Sequence, residues 1–372
     1  MKSSALAAVG AAIGLSLLAC TGTTSEAENC GGDVQVETMS LQSDRQGIVT
    51  IPLSLDSDDA VFQVIVENSG SGYVSTDGLV SPDGETILDW EDWYESHDSL
   101  TDAFYANASA TTLNWPVRET DPGLSEGEWT MYASTLSDDF YYEGRRDVDV
   151  TIMRRSCAGS AMKLKATIAY AGDLENDSEV TTATEAAVAR WTEIYASHGI
   201  ELSTEFITSD VKASLPSPST GNAAYESLYD EVGEGVLLVV GDDVGGAADL
   251  YGMAGGIPGP QVATDHSVVA VSWLVHAGAN ASFNDTEIEI YGETMAHEIG
   301  HFLGLYHPVE MGWNYWDALS DTDECASTKS CESALADNLM FPYPVCGNSG
   351  CTAQVELSNA QVGVLGLNVG VR

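Results

Sequence analysis

One stretch constrains this chain more than any other: "ETMAHEIGHFLGLYHPVE", residues 293 to 310. It carries three of the seven histidines of a 372-residue sequence within eleven positions. An α-helix advances about 100° per residue, so positions four apart share a face, roughly 6 Å from each other. His297 and His301 therefore aim two imidazoles at one point, as a zinc site requires. Glu298 falls to one side of the pair, placed to take a proton from water rather than to bind the ion. Gly304 lets the chain turn sharply out of the helix, because glycine alone enters left-handed backbone conformations without penalty. The turn brings His307 round as a third ligand. Three protein ligands leave a fourth position open, which marks a catalytic zinc rather than a structural one.

The extended pattern His-Glu-x-x-His-x-x-Gly-x-x-His resembles the metzincin metallopeptidases. Members carry a methionine in a tight turn below the metal, and "DNLMFP" supplies Met340, 33 residues after His307. They present substrate along an edge strand upstream of the active-site helix, for which "HSVVAVSWLV" is the candidate. "WDALSDTDEC" is similar to a segment of pappalysin-type metzincins that often binds calcium and has disulfides nearby. Over roughly residues 160 to 372, the resemblance implies a zinc endopeptidase acting on protein or peptide substrates. It makes His297, His301 and His307 the zinc ligands, Glu298 the general base, and Gly304 and Met340 supports. It also implies oxyanion stabilisation by Tyr343 and calcium at Asp317, Asp321 and Asp323. Pro342 stands where pappalysins place a tyrosine, with Tyr343 one step further. "LMFPY" is closer to the matrixin turn, from which the cysteine cluster departs.

The expected fold class is multidomain, an all-β sandwich followed by an α/β peptidase domain. Residues 33 to 157 show short alternating runs such as "VTIPLSL" and "AVFQVIVE", separated by turn signals such as "SPDG". "VSPDGETILDW" and "LSEGEWTMYAS" resemble the jelly-roll accessory domains of bacterial secreted peptidases. Trp90, Trp93 and Tyr94 read as core or loop packing, with a ligand platform as the alternative. After Cys157 strands and helices alternate: "KLKATIAYA", "IELSTEFIT" and "EGVLLVVG" read as strands, and "DSEVTTATEAAVARWTEIYASHG" as an amphipathic helix. Ser358 reads as the N-cap of the last helix. His97, His198, His266 and His276 lack ligand spacing and read as packing or surface residues.

Charge and cysteines bound the setting. Thirteen Lys plus Arg against 57 Asp plus Glu give a formal net charge of −44, which excludes nucleic acid and anionic membrane surfaces as partners. Residues 1 to 20 read as a targeting segment, and Leu17-Leu18-Ala19-Cys20 resembles a bacterial lipobox with Cys20 lipidated. Residues 21 to 32 follow as a flexible tether. These features imply a lipid-anchored or secreted protein of the bacterial cell envelope, contacting membrane through its lipid alone. Thr21 points to the outer membrane by analogy. Cys30, Cys157, Cys325, Cys331, Cys346 and Cys351 suggest three disulfides, with Cys30–Cys157 the first guess and pairing among the last four open. Neither a G-x-S-x-G elbow nor a dinucleotide glycine motif occurs. The rival from another class is an adhesion or binding lipoprotein whose metal site is a relic. A removable pro-segment over residues 30 to 157 is a third possibility, with Arg145-Arg146 and Arg154-Arg155 as cleavable pairs.

Overall fold

The computed structural model describes residues 34–106, 108–156, 162–348 and 350–372. Alternation builds the first half. In "IVTIPLSL" the side chains of Val49, Ile51, Leu53 and Leu55 point inward and are buried, while their neighbours face out. The strands are β1 (Gln35–Gln42), β2 (Ile48–Leu55), β3 (Val61–Asn68), β4 (Tyr73–Val80), β5 (Thr86–Asp89), β6 (Ala110–Trp115), β7 (Gly127–Leu136) and β8 (Asp147–Arg155). They form two antiparallel sheets, ordered β1-β8-β3-β6 and β2-β7-β4-β5. Pro52 sits on β2, an edge, where its missing N–H costs no ladder bond. A short helix, α1 (Trp90–Glu95), follows β5 and is capped by Asp89.

The second half alternates strands and helices: β9 (Met162–Ala171), α2 (Ser178–Ser197), β10 (Ile200–Ser209), α3 (Ala223–Val232) and β11 (Val236–Gly241). Then come β12 (Gly252–Ala254), β13 (Val269–Ser272), α4 (Trp273–Ala277), α5 (Asp285–Phe302), α6 (Thr328–Leu335) and α7 (Asn359–Leu367). The sheet runs β10-β9-β11-β13-β12, parallel except for β12. Helix α2 packs on α5, and the Tyr195 hydroxyl donates to the Ala296 carbonyl at 3.0 Å. None of the described helices is long and apolar enough to cross a membrane.

The edge strand needs a correction. "HSVVAVSWLV" does not lie at the sheet margin: Val269–Ser272 pairs with β11 on one side and β12 on the other. All four of its residues are buried, as a continuous apolar run in a two-sided position demands. The margin is β12, Gly-Met-Ala, and "WLV" instead begins α4, where the Ser272 hydroxyl accepts from Val275 N.

The two halves share a face. Strand β3 abandons alternation, and Val61 to Val66 are all buried. Its inner side meets the other sandwich sheet, with Phe62 edge-on to Trp129 at 6.5 Å. Its outer side is covered by the second half, where Ile65 and Met153 pack on Val369. Polar groups along this seam are mostly matched, with Arg155 Nε and Gln261 Nε2 left buried without a partner. Asn114 donates to Leu367 O at 3.0 Å and accepts from Val369 N at 3.1 Å. The Arg155 guanidinium donates to Gly366 O at 2.8 Å, and Gln63 accepts from Gln261 N at 3.1 Å.

Disulfides join Cys325 to Cys331 and Cys346 to Cys351. The bridge expected between Cys30 and Cys157, and lipidation at Cys20, fall outside the described residues.

Candidate metal centre

Helix α5 starts with a reciprocal cap: Glu287 N donates to the Asn284 side chain, and Asn284 N donates to Glu287 Oε2 at 2.8 Å. Asp285 and Glu287 in its first turn suit the positive end of the helix dipole. The helix ends just before Gly304, whose φ of +111° is the left-handed geometry that glycine tolerates. Leu305 N closes the turn on Gly300 O at 2.9 Å, and the chain reverses to present His307.

The three histidines converge. Their ligand atoms all lie within 4.8 Å of one another. His301 Nε2 is 3.1 Å from His307 Nε2, which is 3.3 Å from His297 Nε2. Nitrogens about 2.0–2.1 Å from a tetrahedral zinc sit about 3.3 Å apart, so the set has the right span. The other ring nitrogens fix the proton positions. His297 Nδ1 faces Leu339 O at 2.8 Å, His301 Nδ1 faces Leu305 O at 2.6 Å, and His307 Nδ1 faces Glu310 Oε2 at 2.9 Å. A carbonyl or carboxylate only accepts, so each Nδ1 carries the hydrogen and each Nε2 offers a lone pair. Three lone pairs at this separation repel one another unless a cation lies between them. The donor set therefore fits zinc, and imidazole nitrogen suits that ion. Burial, and then the neighbouring His307 ring, pulls His297 down to about 3. Burial and the two neighbouring rings hold His301 well below its usual value. Both are neutral at ordinary pH, the state that ligates.

Glu298 is buried beside the ligands, and that burial pushes its carboxyl up to about 8, partly offset by the Ala254 N–H. Gly252 of β12 makes room for it: a Cβ there would stand 2.7 Å from Glu298 Cγ. Below the ligands, Met340 is fully buried, with its sulfur 2.7 Å from where a Cβ on Gly300 would lie. Met340 N donates to Asn338 Oδ1 at 2.9 Å, and Asn338 pairs in turn with Gln361 of α7. One turn thus carries both the methionine and the Leu339 carbonyl that orients His297.

Other expected site residues fall elsewhere. The Tyr343 ring borders a cleft of about 60 Å³ beside Glu298, and its hydroxyl donates to Glu332 at 3.2 Å. The calcium assignment finds no support in the geometry. Asp317 is buried and accepts from Thr322 and Leu319 N; Asp321 caps α7 by accepting from Ser358 Oγ and Ala360 N; Asp323 faces solvent. Asp317 Oδ2 is buried without a partner, the three carboxylates do not form a cluster, and among the described residues the histidine trio is the group that could hold an ion. His276 is buried, bonded to Ser272 O and Thr294 Oγ1, and lowered to about 4 by burial. Sequence reasoning missed Gly252, Glu310 and the Leu305 and Leu339 carbonyls. Only Glu310, three residues after His307, left a legible signal.

No protein-family model matches the sequence, and no curated protein matches it. Among solved structures, the chain is similar to metalloproteinase-II from Bacteroides fragilis, at 17% identity over 58% of this chain and 62% of that one, with a TM-score of 0.32. It is also similar to archaemetzincin from Methanopyrus kandleri, at 14% identity over 55% of this chain and 86% of that one, with a TM-score of 0.28. The chain spans less than two thirds of the Bacteroides protein's own length. At these low scores, function rests on the histidines and their partners.

Proposed function

We propose that this chain is a zinc-dependent endopeptidase of the cell envelope, held by a lipid on Cys20. One observation carries the reading: three buried or half-buried histidines, each with its Nδ1 proton committed, turn their Nε2 lone pairs on one point beside a buried glutamate. Zinc bound there supplies Lewis-acid polarisation of water and of the scissile carbonyl. Glu298 takes the proton from the attacking water on its free oxygen and returns it to the leaving amine nitrogen. The free edge of β12, adjacent to Glu298, aligns an extended peptide.

The test is casein hydrolysis by the chain lacking residues 1 to 20, beside Glu298→Ala, with zinc measured in both. The expectation is one zinc in each and a loss of about 10²–10⁴-fold in rate for Glu298→Ala. Equal hydrolysis by the two proteins, or no zinc in either, rejects the reading.

A further inference from the structure

Large exposed apolar side chains stand on two segments, one from the sandwich and one following the third histidine. Trp90, Tyr94 and Tyr105 stand on the sandwich segment between β5 and β6, and Met311 and Tyr315 on the loop just past His307. The two segments are bound together. Asp98–Ser99 pairs in parallel with Trp316–Asp317, and the His97 and Tyr315 rings lie 5.3 Å apart. Trp93 stacks on Phe104 at 5.4 Å, meets Tyr105 edge-on at 4.7 Å, and donates its indole N–H to Thr101 O at 3.0 Å. This framework fixes Tyr105 while leaving it 54% exposed. The Asp98–Ser99 pairing and the His97–Tyr315 contact bring this segment against the loop that carries Glu310, the acceptor at His307 Nδ1.

The same segment is clamped to the loop after β12. Asp102 N donates to Ile257 O at 2.9 Å, and Ile257 N donates to Asp102 Oδ2 at 2.8 Å. Between the walls lies a cleft of about 220 Å³, bordered by Met253 and Ala254 of β12, Ile257, Tyr105 and Thr111. That is less than a small-molecule site of roughly 300 Å³ and ample for one amino-acid side chain. Its polar groups are largely spoken for: Asp102 accepts from Ile257 N, and Thr111 donates to Ala103 O at 2.7 Å. Its larger side chains are Tyr105, Met253, Ile257, Pro258 and Pro260; His266 commits its ring nitrogens to Pro218 O and Ser109, and no Lys or Arg lines it. Strand β12 runs from Gly252, beside Glu298, to Ala254, beside this cleft. A peptide antiparallel to β12 therefore lays residues preceding the scissile bond on the cleft side.

We propose that the sandwich builds one wall of the substrate site, and that the cleft between Tyr105 and β12 takes a bulky apolar side chain N-terminal to the bond cut in an extended polypeptide. This rests on the peptidase reading above. Tyr105 is then a specificity residue supplied by the half of the chain that holds no metal ligand.

The test uses the zinc-loaded chain lacking residues 1 to 20 and a peptide it excises from casein, or casein fragments if none is cut. Three versions carry Phe, Arg or Ala at the second and third positions before the cleaved bond. The parent and Tyr105→Ala are compared by kcat/KM, and Glu298→Gln with and without Tyr105→Ala by fluorescence anisotropy. The parent should favour Phe over Ala by about 10-fold or more, a size that hydrophobic pockets reach. Tyr105→Ala should bring the ratio to about two or below. Circular dichroism and melting of Tyr105→Ala check that it is folded. Equal use of Phe and Ala, a preference for Arg, or an unchanged ratio in Tyr105→Ala overturns the proposal. If the parent cuts nothing, the binding arm decides: Phe selectivity that depends on Tyr105 keeps the wall while the hydrolytic reading falls, and uniform binding rejects the wall.

Discussion

Gly252→Ala isolates the placement of the general base from metal binding. Gly252 does not have a positive φ, so alanine fits its backbone, and the added methyl meets Glu298 first. That methyl would stand 2.7 Å from Glu298 Cγ and 3.1 Å from Cδ, and the three nearest atoms all belong to Glu298. Carbon atoms rest about 3.5–4.0 Å apart, so the carboxylate must retreat by about 1 Å. A displacement of that size at a reacting group costs about 100-fold in rate, or about 2.7 kcal/mol of transition-state stabilisation. None of those three atoms belongs to a histidine, so zinc content should stay at one per chain. The assay is kcat/KM on a casein-derived peptide with zinc measured on the same samples. A zinc-loaded Gly252→Ala within about threefold of the parent would refute the reasoning, because Glu298 would then tolerate a shift that proton transfer should not.

Three further outcomes follow from the seam, the ligand shell and the buried acids. Glu310→Ala removes the acceptor at His307 Nδ1 and should weaken zinc about 10-fold in a chelator competition, the low end for such partners because Glu310 is partly exposed. Asn114→Ala strands Leu367 O and Val369 N across the seam and should cost ~2–4 kcal/mol in urea unfolding; an unchanged midpoint would show the pairing to be idle. Burial raises Glu67, Asp102 and Asp317 each to about 7, so the folded chain binds their protons more tightly than the unfolded one. Their contribution is full below about pH 4 and drains as pH rises through 7, so the metal-free protein should melt higher at pH 5.5 than at pH 8.

The metal ligands were legible because helical spacing converts directly into direction: His297 and His301 share a face whatever surrounds them. Met340 was legible through its turn. The acceptors behind the imidazoles were not, since Leu305 and Leu339 act through carbonyls that every residue possesses. The edge strand was misread for a related reason. A long apolar run such as "VVAVS" reports burial on both sides, while the true margin, Gly-Met-Ala, is short and small because a carboxylate must fit against it. Strand β3 likewise announced itself as a strand, but its loss of alternation, the trace of a second covered face, is intelligible only once Val369 is seen across from Ile65.

That covered face bears on how such a protein could be processed. Arg155, one half of the second basic pair, is buried in β8 with its guanidinium spanning the seam, out of reach of a trypsin-like enzyme. The pair at Arg145-Arg146 is the more accessible target, yet a nick there severs one peptide bond and leaves the shared apolar layer intact. The product would be a two-chain particle, inseparable without denaturant, and a fragment expressed from residue 160 onward would expose that layer and aggregate.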